Sequence, residues 1–243
     1  MRVGVPMRPV LVIEHSEGDG PGHFGEWLAE RGRPMTLVRV HAGDTVPAHI
    51  GEHAGLCVLG GPMSANDGHL EHIRLAHALV RDALDAQVPM IGHCLGGQIL
   101  ARVLGGSVGP SPKPEIGWHA IEVEPNATAR RWFGERVGAT VMQWHYEAFT
   151  LPEAAVRLAG NVSCPHQAFV WGDRHLGMQF HPEADRTKVE YWLAKDRQEA
   201  LASAHRPTVQ RPEAIAAGID AHLPAMRELA RRLYDTWAVA LRD

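Results

Sequence analysis

The 243-residue sequence predicts an α/β protein with a doubly wound, mostly parallel sheet, a β-rich second half and C-terminal helices. Two observations favour this fold class. Up to about residue 105, short apolar runs typical of buried parallel strands alternate with segments of helical periodicity. Two glycine-rich turns directly follow such runs, at the carboxyl ends of strands where doubly wound sheets gather their reactive groups.

The elements of the first half follow one another in a regular order. Apolar runs predict strands at residues 9–14, 34–40, 55–59 and 88–91. Helical periodicity predicts helices at residues 24–30, 70–86 and 98–104. This alternation is typical of βαβ units, whose strands lie parallel because each crossover helix returns the chain to the same edge of the sheet.

The chain changes character after residue 105. Residues 106–117 contain three prolines and show little periodicity, which predicts an irregular connection. Short strands are then predicted at residues 119–123, 139–144, 155–159, 167–171 and 176–180. The last two runs are joined by a Gly-Asp turn, which predicts a hairpin.

The pattern becomes helical from residue 187 onward. Pro224 lies within the last apolar stripe, and we expect it to begin a new helix, because proline suits the first helical position. The sequence predicts one domain over residues 1–184 and a C-terminal helical extension, residues 185–243, packed on the same domain.

Composition and charge argue against several classes of function. A formal net charge of −4 offers no basic surface for nucleic acid. The apolar runs are too short for a signal sequence or a membrane span, so we expect a cytoplasmic protein. The cysteines Cys57, Cys94 and Cys164 show no C-x-x-C spacing, which predicts neither a disulfide framework nor a zinc site. We expect no metal and no cofactor.

One of these cysteines lies on the turn between the fourth predicted strand and its helix. Residues 92–98 read GHCLGGQ, so glycines lie on both sides of Cys94. Such a turn lifts a side chain above the sheet edge at a helix N-terminus, where the macrodipole and free backbone N–H groups favour a thiolate. The turn predicts a nucleophile, and the alternative is a buried, inert thiol.

His181 is the histidine best suited to serve this nucleophile. Pro182 follows it and keeps His181 out of the helical conformation. In an extended chain, residues i and i+2 face the same side, so Glu183 can hold the imidazole from behind while the ring faces a thiol. Cys94, His181 and Glu183 therefore form a candidate nucleophile, base and orienting group, and the alternative for the last two is a solvated surface turn.

Three separated segments carry a resemblance to a known family. They are GGPMS at residues 60–64, GHCLGGQ at 92–98 and FHPE at 180–183. Over about residues 8–184 the chain resembles the class I, triad-type glutamine amidotransferases. It is most similar to stand-alone proteins related to the amidotransferase domain of GMP synthase, which residues 113–119, 143–152 and 164–169 also resemble. The resemblance implies a flavodoxin-like fold.

The resemblance also implies a role for individual residues. Cys94 would attack the side-chain amide of glutamine, His181 would transfer the proton, and Glu183 would orient His181. The positions matching the two backbone N–H donors of the oxyanion hole are Gly61 and Leu95. The positions matching the substrate contacts are Gly60, Gln98, His145 and Tyr146. Family members often have a glycine in the segment around Tyr146, so this residue departs from their pattern.

Substrate and partner stay open at this point. The leading hypothesis is hydrolysis of glutamine to release ammonia, and the partner would be a separate, ammonia-using synthase subunit. The alternative is a γ-glutamyl peptidase that acts on peptides such as glutathione. A third hypothesis, a non-catalytic binding protein on the same scaffold, is disfavoured by the complete triad. We expect no nucleic-acid or membrane partner, and a homodimer is a further option.

Overall fold

The computed structural model describes residues 7–242, in which nine strands form a single sheet. The strands are β1 (Val10–Glu14), β2 (Met35–Arg39), β3 (Gly55–Val58), β4 (Met90–His93), β5 (Val108–Val123), β6 (Gly138–Phe149), β7 (Val156–Gly160), β8 (Ala168–Trp171) and β9 (His175–Met178). The helices are α1 (Gly22–Glu30), α2 (Glu71–Asp85), α3 (Leu95–Val103), α4 (Ala127–Phe133), α5 (Arg186–Lys195), α6 (Arg197–Ser203) and α7 (Pro212–Ala238), with a short 3₁₀ helix at Val40–Ala42.

The sheet has a parallel half and an antiparallel half. Its strand order is β2-β1-β3-β4-β9-β8-β7-β5-β6. Every pairing from β2 to β9 is parallel, and every pairing from β9 to β6 is antiparallel. The predicted doubly wound α/β fold with a β-rich second half is confirmed. The carboxyl ends of β1, β3, β4 and β9 meet at one edge, because these strands run in the same direction.

Helices cover both faces of the parallel half. Alternate residues of a strand point to opposite faces, so Val10 and Val12 pack in one core with α1 and α7, whereas Leu11 and Ile13 pack in a second core with α2 and α3. The continuous apolar run that predicted β1 is therefore explained by burial on both faces. The helix predicted at residues 70–86 is also confirmed, since α2 spans Glu71–Asp85.

The proline-containing segment is not the irregular connection that the pattern predicts. It forms the first half of β5, which pairs with β6 on either side of an irregularity between Pro110 and Glu115. On its other side β5 pairs with β7 only at Glu122 and Val123. Since the proline-containing part has a single neighbouring strand, a missing N–H group costs few ladder bonds, and prolines are tolerated there.

The prediction that Pro224 begins a helix is wrong. Helix α7 is continuous from Pro212 to Ala238, and Pro224 lies inside it on the exposed side. The buried residues Ile219 and Met226, on either side of this proline, belong to the same core. Burial of one continuous apolar face holds the helix together across the lost hydrogen bond.

The C-terminal helices pack on the sheet face that α1 also covers. Core residues of α5 and α7 belong to the same apolar cluster as those of β1, β3 and α1. The domain boundary at residue 184 stays a prediction. None of the helices within residues 7–242 combines the length and apolarity that crossing a membrane requires.

Trp237 provides a test of how α7 docks. Its ring is fully buried, lies 5.8 Å from the Phe24 ring and closes over Gly55. We expect Trp237→Ala to lower the free energy of unfolding by about 3–5 kcal/mol, measured by urea denaturation, because the substitution leaves a cavity in the core. The exposed Val239→Ala is the control and should change stability by less than about 0.5 kcal/mol. Equal stability of both variants would contradict this packing of α7.

Candidate active site

Cys94 lies in a strained turn between β4 and α3. Its φ angle is +46°, in the left-handed region that non-glycine residues rarely adopt. The backbone N–H of Cys94 donates a 2.8 Å hydrogen bond to the carbonyl of Met178, which ties the turn to β9. The helix must pass very close to the sheet here, since a Cβ on Gly96 would lie 2.0 Å from the Val58 carbonyl oxygen. Only glycine fits at that position.

A cavity of about 310 Å³ opens above Cys94. The loop after β3, the middle of β6, the segment after β9 and helices α5 and α6 contribute to its wall. The lining residues are Asp19, Gly61, Pro62, Met63, Ser64, Cys94, Gln98, Trp144, His145, Tyr146, Glu147, His181, Trp192, Lys195, Asp196 and Glu199. Cys94 as a whole is only 6 % exposed, so reagents reach it through this cavity.

His181 and Glu183 form a hydrogen-bonded pair beside Cys94. The Nδ1 atom of His181 lies 2.8 Å from Oε1 of Glu183. Strand β9 ends at Met178, and the chain then turns, with the N–H of Ala184 donating to the carbonyl of His181. The pair therefore meets across a tight turn that follows His181, rather than along a fully extended segment.

The charge on Glu183 is enclosed in the protein. Its side chain is 0 % exposed, and Oε1 also accepts a 3.0 Å hydrogen bond from Nζ of Lys188. His93 lies on the other side, with Nε2 4.0 Å from Oε2. Burial disfavours the carboxylate, but the charges of Lys188 and His181 outweigh this and hold the pKa of Glu183 well below its usual range.

The His181 ring is held so that its second nitrogen is available to the cavity. Trp192 packs edge-on against the ring, with centroids 4.8 Å apart. Nε2 has no hydrogen-bond partner among the described residues, although it is buried. Burial opposes the charged ring, but the Glu183 carboxylate and the Cys94 thiol outweigh it and raise the pKa of His181 to about 10. The arrangement therefore favours a protonated imidazole at His181.

Two glutamine side chains organise the surroundings of the sulfur atom. Nε2 of Gln179 donates to Sγ of Cys94 at 3.5 Å, and Oε1 of Gln179 accepts from Nε2 of Gln98 at 3.3 Å. Gln98 also donates to the carbonyl of Glu147 at 3.1 Å. Because Gln98 donates to the amide oxygen of Gln179, the amide N–H₂ group of Gln179 faces the sulfur and donates to it.

Most of the residues singled out from the sequence lie on or directly behind one cavity wall. Gly61, Gln98, His145 and Tyr146 line the cavity with Cys94 and His181. Gly60 lies behind them, where a Cβ would be 3.7 Å from Cβ of Cys94. Leu95 is the first residue of α3, and a backbone N–H in the first turn has no acceptor within the helix.

His145 and Tyr146 are tied to the protein as well as facing the cavity. The two ring nitrogens of His145 lie 3.1 Å from the carbonyl oxygen of Glu147 and 3.2 Å from Oε2 of Glu115. The hydroxyl of Tyr146 lies 3.3 Å from Oγ of Ser203 on α6. Protein oxygen atoms therefore occupy both His145 nitrogens, and Tyr146 joins β6 to the helical wall.

Glu115, His145 and Cys164 form a second buried cluster, in which one potential ligand atom of each lies within 4.8 Å of the others. Glu115 already accepts hydrogen bonds of 2.6 Å from Gln167 and 2.7 Å from Asn161. Burial raises the pKa of Cys164 to about 12, which keeps this thiol protonated. The bonding is typical of a satisfied polar network, and it supports β5 and β6.

Comparison with known proteins identifies the family of this chain. The model of the family "Glutamine amidotransferase class-I" matches residues 25–197. The chain belongs to the class I glutamine amidotransferase family. Members of this family are amide hydrolases and amidotransferases with a cysteine nucleophile, so the resemblance noted in the sequence is confirmed.

Individual relatives are similar over most of the amidotransferase. The crystal structure of a glutamine amidotransferase from Methylobacillus flagellatus is 37 % identical, with a TM-score of 0.93, and the match covers 97 % of this chain and 96 % of that one. The glutamine amidotransferase-like protein YfeJ of Salmonella typhimurium is 32 % identical over 201 residues, which cover 80 % of this chain and 83 % of YfeJ. One subunit of a glutamine-hydrolysing GMP synthase from Methanoculleus marisnigri is 28 % identical over 183 residues, which cover 74 % of this chain and 91 % of that protein.

Sequence reasoning missed Gln179, Lys188 and Trp192 of this amidotransferase. A signal for Gln179 was available, because residues 179 and 181 are spaced to lie on one side of an extended segment. Lys188 and Trp192 lie on α5, and their positions depend on how that helix docks. No local pattern could have placed them beside the triad candidates.

Gly60 provides a test of the fit between His181 and the loop after β3. A Cβ at this position would lie 2.8 Å from Cε1 of His181. We expect Gly60→Ala to displace the imidazole and to slow iodoacetamide alkylation of Cys94 by about 10- to 100-fold, since a shift of about 1 Å has effects of this size. The measurement is the alkylation rate of the Cys94 peptide by mass spectrometry.

The control for this substitution is Gly109→Ala, where an added Cβ meets no atom within 4 Å. Its alkylation rate should equal that of the wild type. If Gly60→Ala also reacts at the wild-type rate, the close approach of Gly60 to His181 does not control the thiol.

Proposed function

We propose that this amidotransferase hydrolyses the side-chain amide of L-glutamine and releases ammonia, with Cys94 as nucleophile, His181 as general acid and base, and Glu183 as the group that orients His181. The observation that carries the proposal is the 2.8 Å bond from His181 to Glu183 on the wall of the cavity that contains Cys94. A nucleophile, a base with a free nitrogen and a buried orienting carboxylate are the parts that amide cleavage requires.

The proposed reaction has two halves. The Cys94 thiolate attacks the amide carbon, and the resulting tetrahedral intermediate collapses to a γ-glutamyl thioester while protonated His181 gives its proton to the departing ammonia. Neutral His181 then takes a proton from water, which attacks the thioester; the intermediate collapses to glutamate and the Cys94 thiolate, beside protonated His181 as at the start. The proposed oxyanion donors are the backbone N–H groups of Gly61 and Leu95, each contributing about 2.7–4 kcal/mol to transition-state stabilisation.

The charge of the cavity favours glutamine over a γ-glutamyl peptide, and its volume suits a small molecule. A volume of about 310 Å³ is close to the lower end of small-molecule sites, roughly 300–1,000 Å³. The acidic lining residues are Asp19, Glu147, Asp196 and Glu199, and among the described residues they are accompanied by one lysine, Lys195. This wall repels the carboxylate on the leaving peptide of glutathione, whereas ammonia carries no such charge.

The similarity to part of a GMP synthase supports a partner that consumes the ammonia, namely a separate synthase subunit. In that case the isolated chain should release ammonia slowly, because the partner completes or closes the site. A high rate in the isolated chain would favour a free-standing hydrolase instead. Steady-state ammonia release by the purified chain distinguishes the two.

Replacement of the nucleophile is the primary test. We expect Cys94→Ser to reduce ammonia release from glutamine by roughly 10⁶-fold, the size of effect seen when an acyl-transfer nucleophile is removed. Cys164→Ser is the matched control, because this buried thiol donates to the carbonyl of His166, as a hydroxyl also can, and should leave the rate unchanged. Ammonia release that survives Cys94→Ser would exclude the proposed nucleophile.

The choice of substrate has its own test. We expect kcat/KM for glutamine to exceed that for glutathione by at least about 100-fold, since the acidic cavity wall disfavours the carboxylate of the leaving peptide. Ammonia and cysteinylglycine are the two products to quantify. A higher kcat/KM for glutathione would support the γ-glutamyl peptidase alternative.

A further inference from the structure

Lys188 is a buried lysine next to the triad candidates. Its side chain is 4 % exposed, and its Nζ atom lies 3.0 Å from Oε1 of Glu183. Lysine is almost never fully buried unless it is paired, because its charge must be desolvated. The ring of Trp192 lies under the same ammonium group, 5.4 Å from Nζ to the ring centroid. The position of this cation is therefore set by Glu183 and by the indole.

Helix α5 is built to bring this side chain back toward Glu183. Asp185 is the N-cap residue, and its Oδ1 accepts a 2.8 Å hydrogen bond from the backbone N–H of Lys188. This bond fixes the first turn of the helix directly after the turn that holds His181 and Glu183. The N-cap thus helps to place Lys188 within hydrogen-bond distance of Glu183, the carboxylate that also contacts His181.

One oxygen atom of Glu183 is shared between two cationic groups. Oε1 lies 2.8 Å from Nδ1 of His181 and 3.0 Å from Nζ of Lys188. The negative charge is therefore divided between the imidazole and the ammonium group. Without Lys188, the whole charge would act on His181 and hold the imidazolium form too firmly for a ring that must give its proton to ammonia in the first half-reaction and act as a neutral base in the second.

We propose that Lys188 is a positioning residue for amide hydrolysis, which keeps Glu183 ionised and limits the strength with which Glu183 holds the proton of His181. This inference rests on the function proposed above. Lys188 acts through Glu183 and does not line the cavity that contains Cys94.

The other titratable groups around Glu183 do not supply this charge. Burial lowers the pKa of His93 on β4 to about 4, so this ring is neutral at neutral pH. Burial also raises the pKa values of Cys57 on β3 and Tyr234 on α7 well above their ordinary values, which keeps both protonated. Cys94 faces the opposite side of His181, and Asp185 on the N-cap side of α5 is itself an acid. Among the described residues around Glu183, Lys188 is thus the group that supplies positive charge beside His181.

The test measures the proton affinity of His181 directly. In a Cys94→Ser background, we expect Lys188→Met to move the NMR titration midpoint of the His181 ring upward by about one pH unit relative to Cys94→Ser alone, because loss of a nearby cation favours the protonated ring. Lys188→Arg should restore the midpoint. Lys188→Gln keeps a hydrogen-bond donor without the charge and should behave like Lys188→Met. Urea denaturation and circular dichroism identify variants that fold.

Kinetics with Cys94 intact supply the second measurement. We expect Lys188→Met to lower kcat for glutamine at pH 7 by about 10-fold with little change in KM. The acidic limb of the kcat profile should also shift to higher pH, because hydrolysis of the thioester requires neutral His181. The exposed Lys113→Met removes the same charge elsewhere and should match the wild type. Lys188→Arg should recover most of the lost rate.

Two outcomes would overturn the role of Lys188. One is an unchanged His181 midpoint in folded Lys188→Met. The other is an equal shift in Lys188→Arg and Lys188→Met, which would show that shape rather than charge matters. If the proposed function is wrong, the wild-type protein will release no ammonia from glutamine. The NMR titration would still report in that case whether Lys188 controls the proton affinity of His181, so the two failures can be distinguished.

Discussion

The buried carboxylate of Glu183 is the group on which the arrangement of the site depends. A charge wholly removed from water is stable only when it is paired and hydrogen bonded, and here His181 and Lys188 meet at one oxygen while His93 lies beyond the other. These partners come from the turn after β9, from α5 and from β4. The docking of α5 and the orientation of the imidazole are therefore two consequences of satisfying one charge.

Close packing at the carboxyl ends of the parallel strands determines where the nucleophile can be. Gly96 of α3 lies against the backbone of Val58 in β3, and the N–H of Cys94 is bonded to Met178 at the end of β9. Because there is no room for a side chain between α3 and the sheet, the turn directs the Cys94 side chain away from the sheet, at a strained φ angle. The surrounding structure maintains this strain, because three strands hold the turn at once.

The C-terminal helix α7 stabilises the region of the Cys94 turn through contacts in the core. The Tyr234 hydroxyl of α7 lies 3.3 Å from Nε2 of His93, and its ring packs edge-on against Phe24 of α1, with centroids 5.0 Å apart. His93 also contacts the thiol of Cys57 through Nδ1. Helix α7 is thus joined through one buried, neutral imidazole to the strand that leads into the Cys94 turn. Its contribution to the site is made through the core rather than through the cavity.

Local signals in the sequence were sufficient for the parallel half and for the main parts of the candidate site. Strand β1 and helix α2 follow from apolar runs and periodicity, and the Cys94 turn follows from its glycines, because the physical cause of each lies within a few residues. The same holds for His181 and Glu183, which are two residues apart. Local signals failed where the physical cause of a structure lay in a distant part of the chain. Prolines in β5 are tolerated because a single strand lies beside them, and α7 continues through Pro224 because both of its halves pack on one core.

The sequence by itself determined the fold class, the family and the identity of a candidate nucleophile, base and orienting carboxylate. Only the tertiary structure decided what surrounds them: that Gln179 donates to the sulfur of Cys94, that Lys188 shares the Glu183 oxygen with His181, and that acidic side chains just after α5 form part of the cavity wall. The physical reason is that these contacts join segments far apart in the chain or depend on helix docking. A buried charge or thiolate is stabilised by whatever the complete fold brings within hydrogen-bond distance, and no local pattern records that.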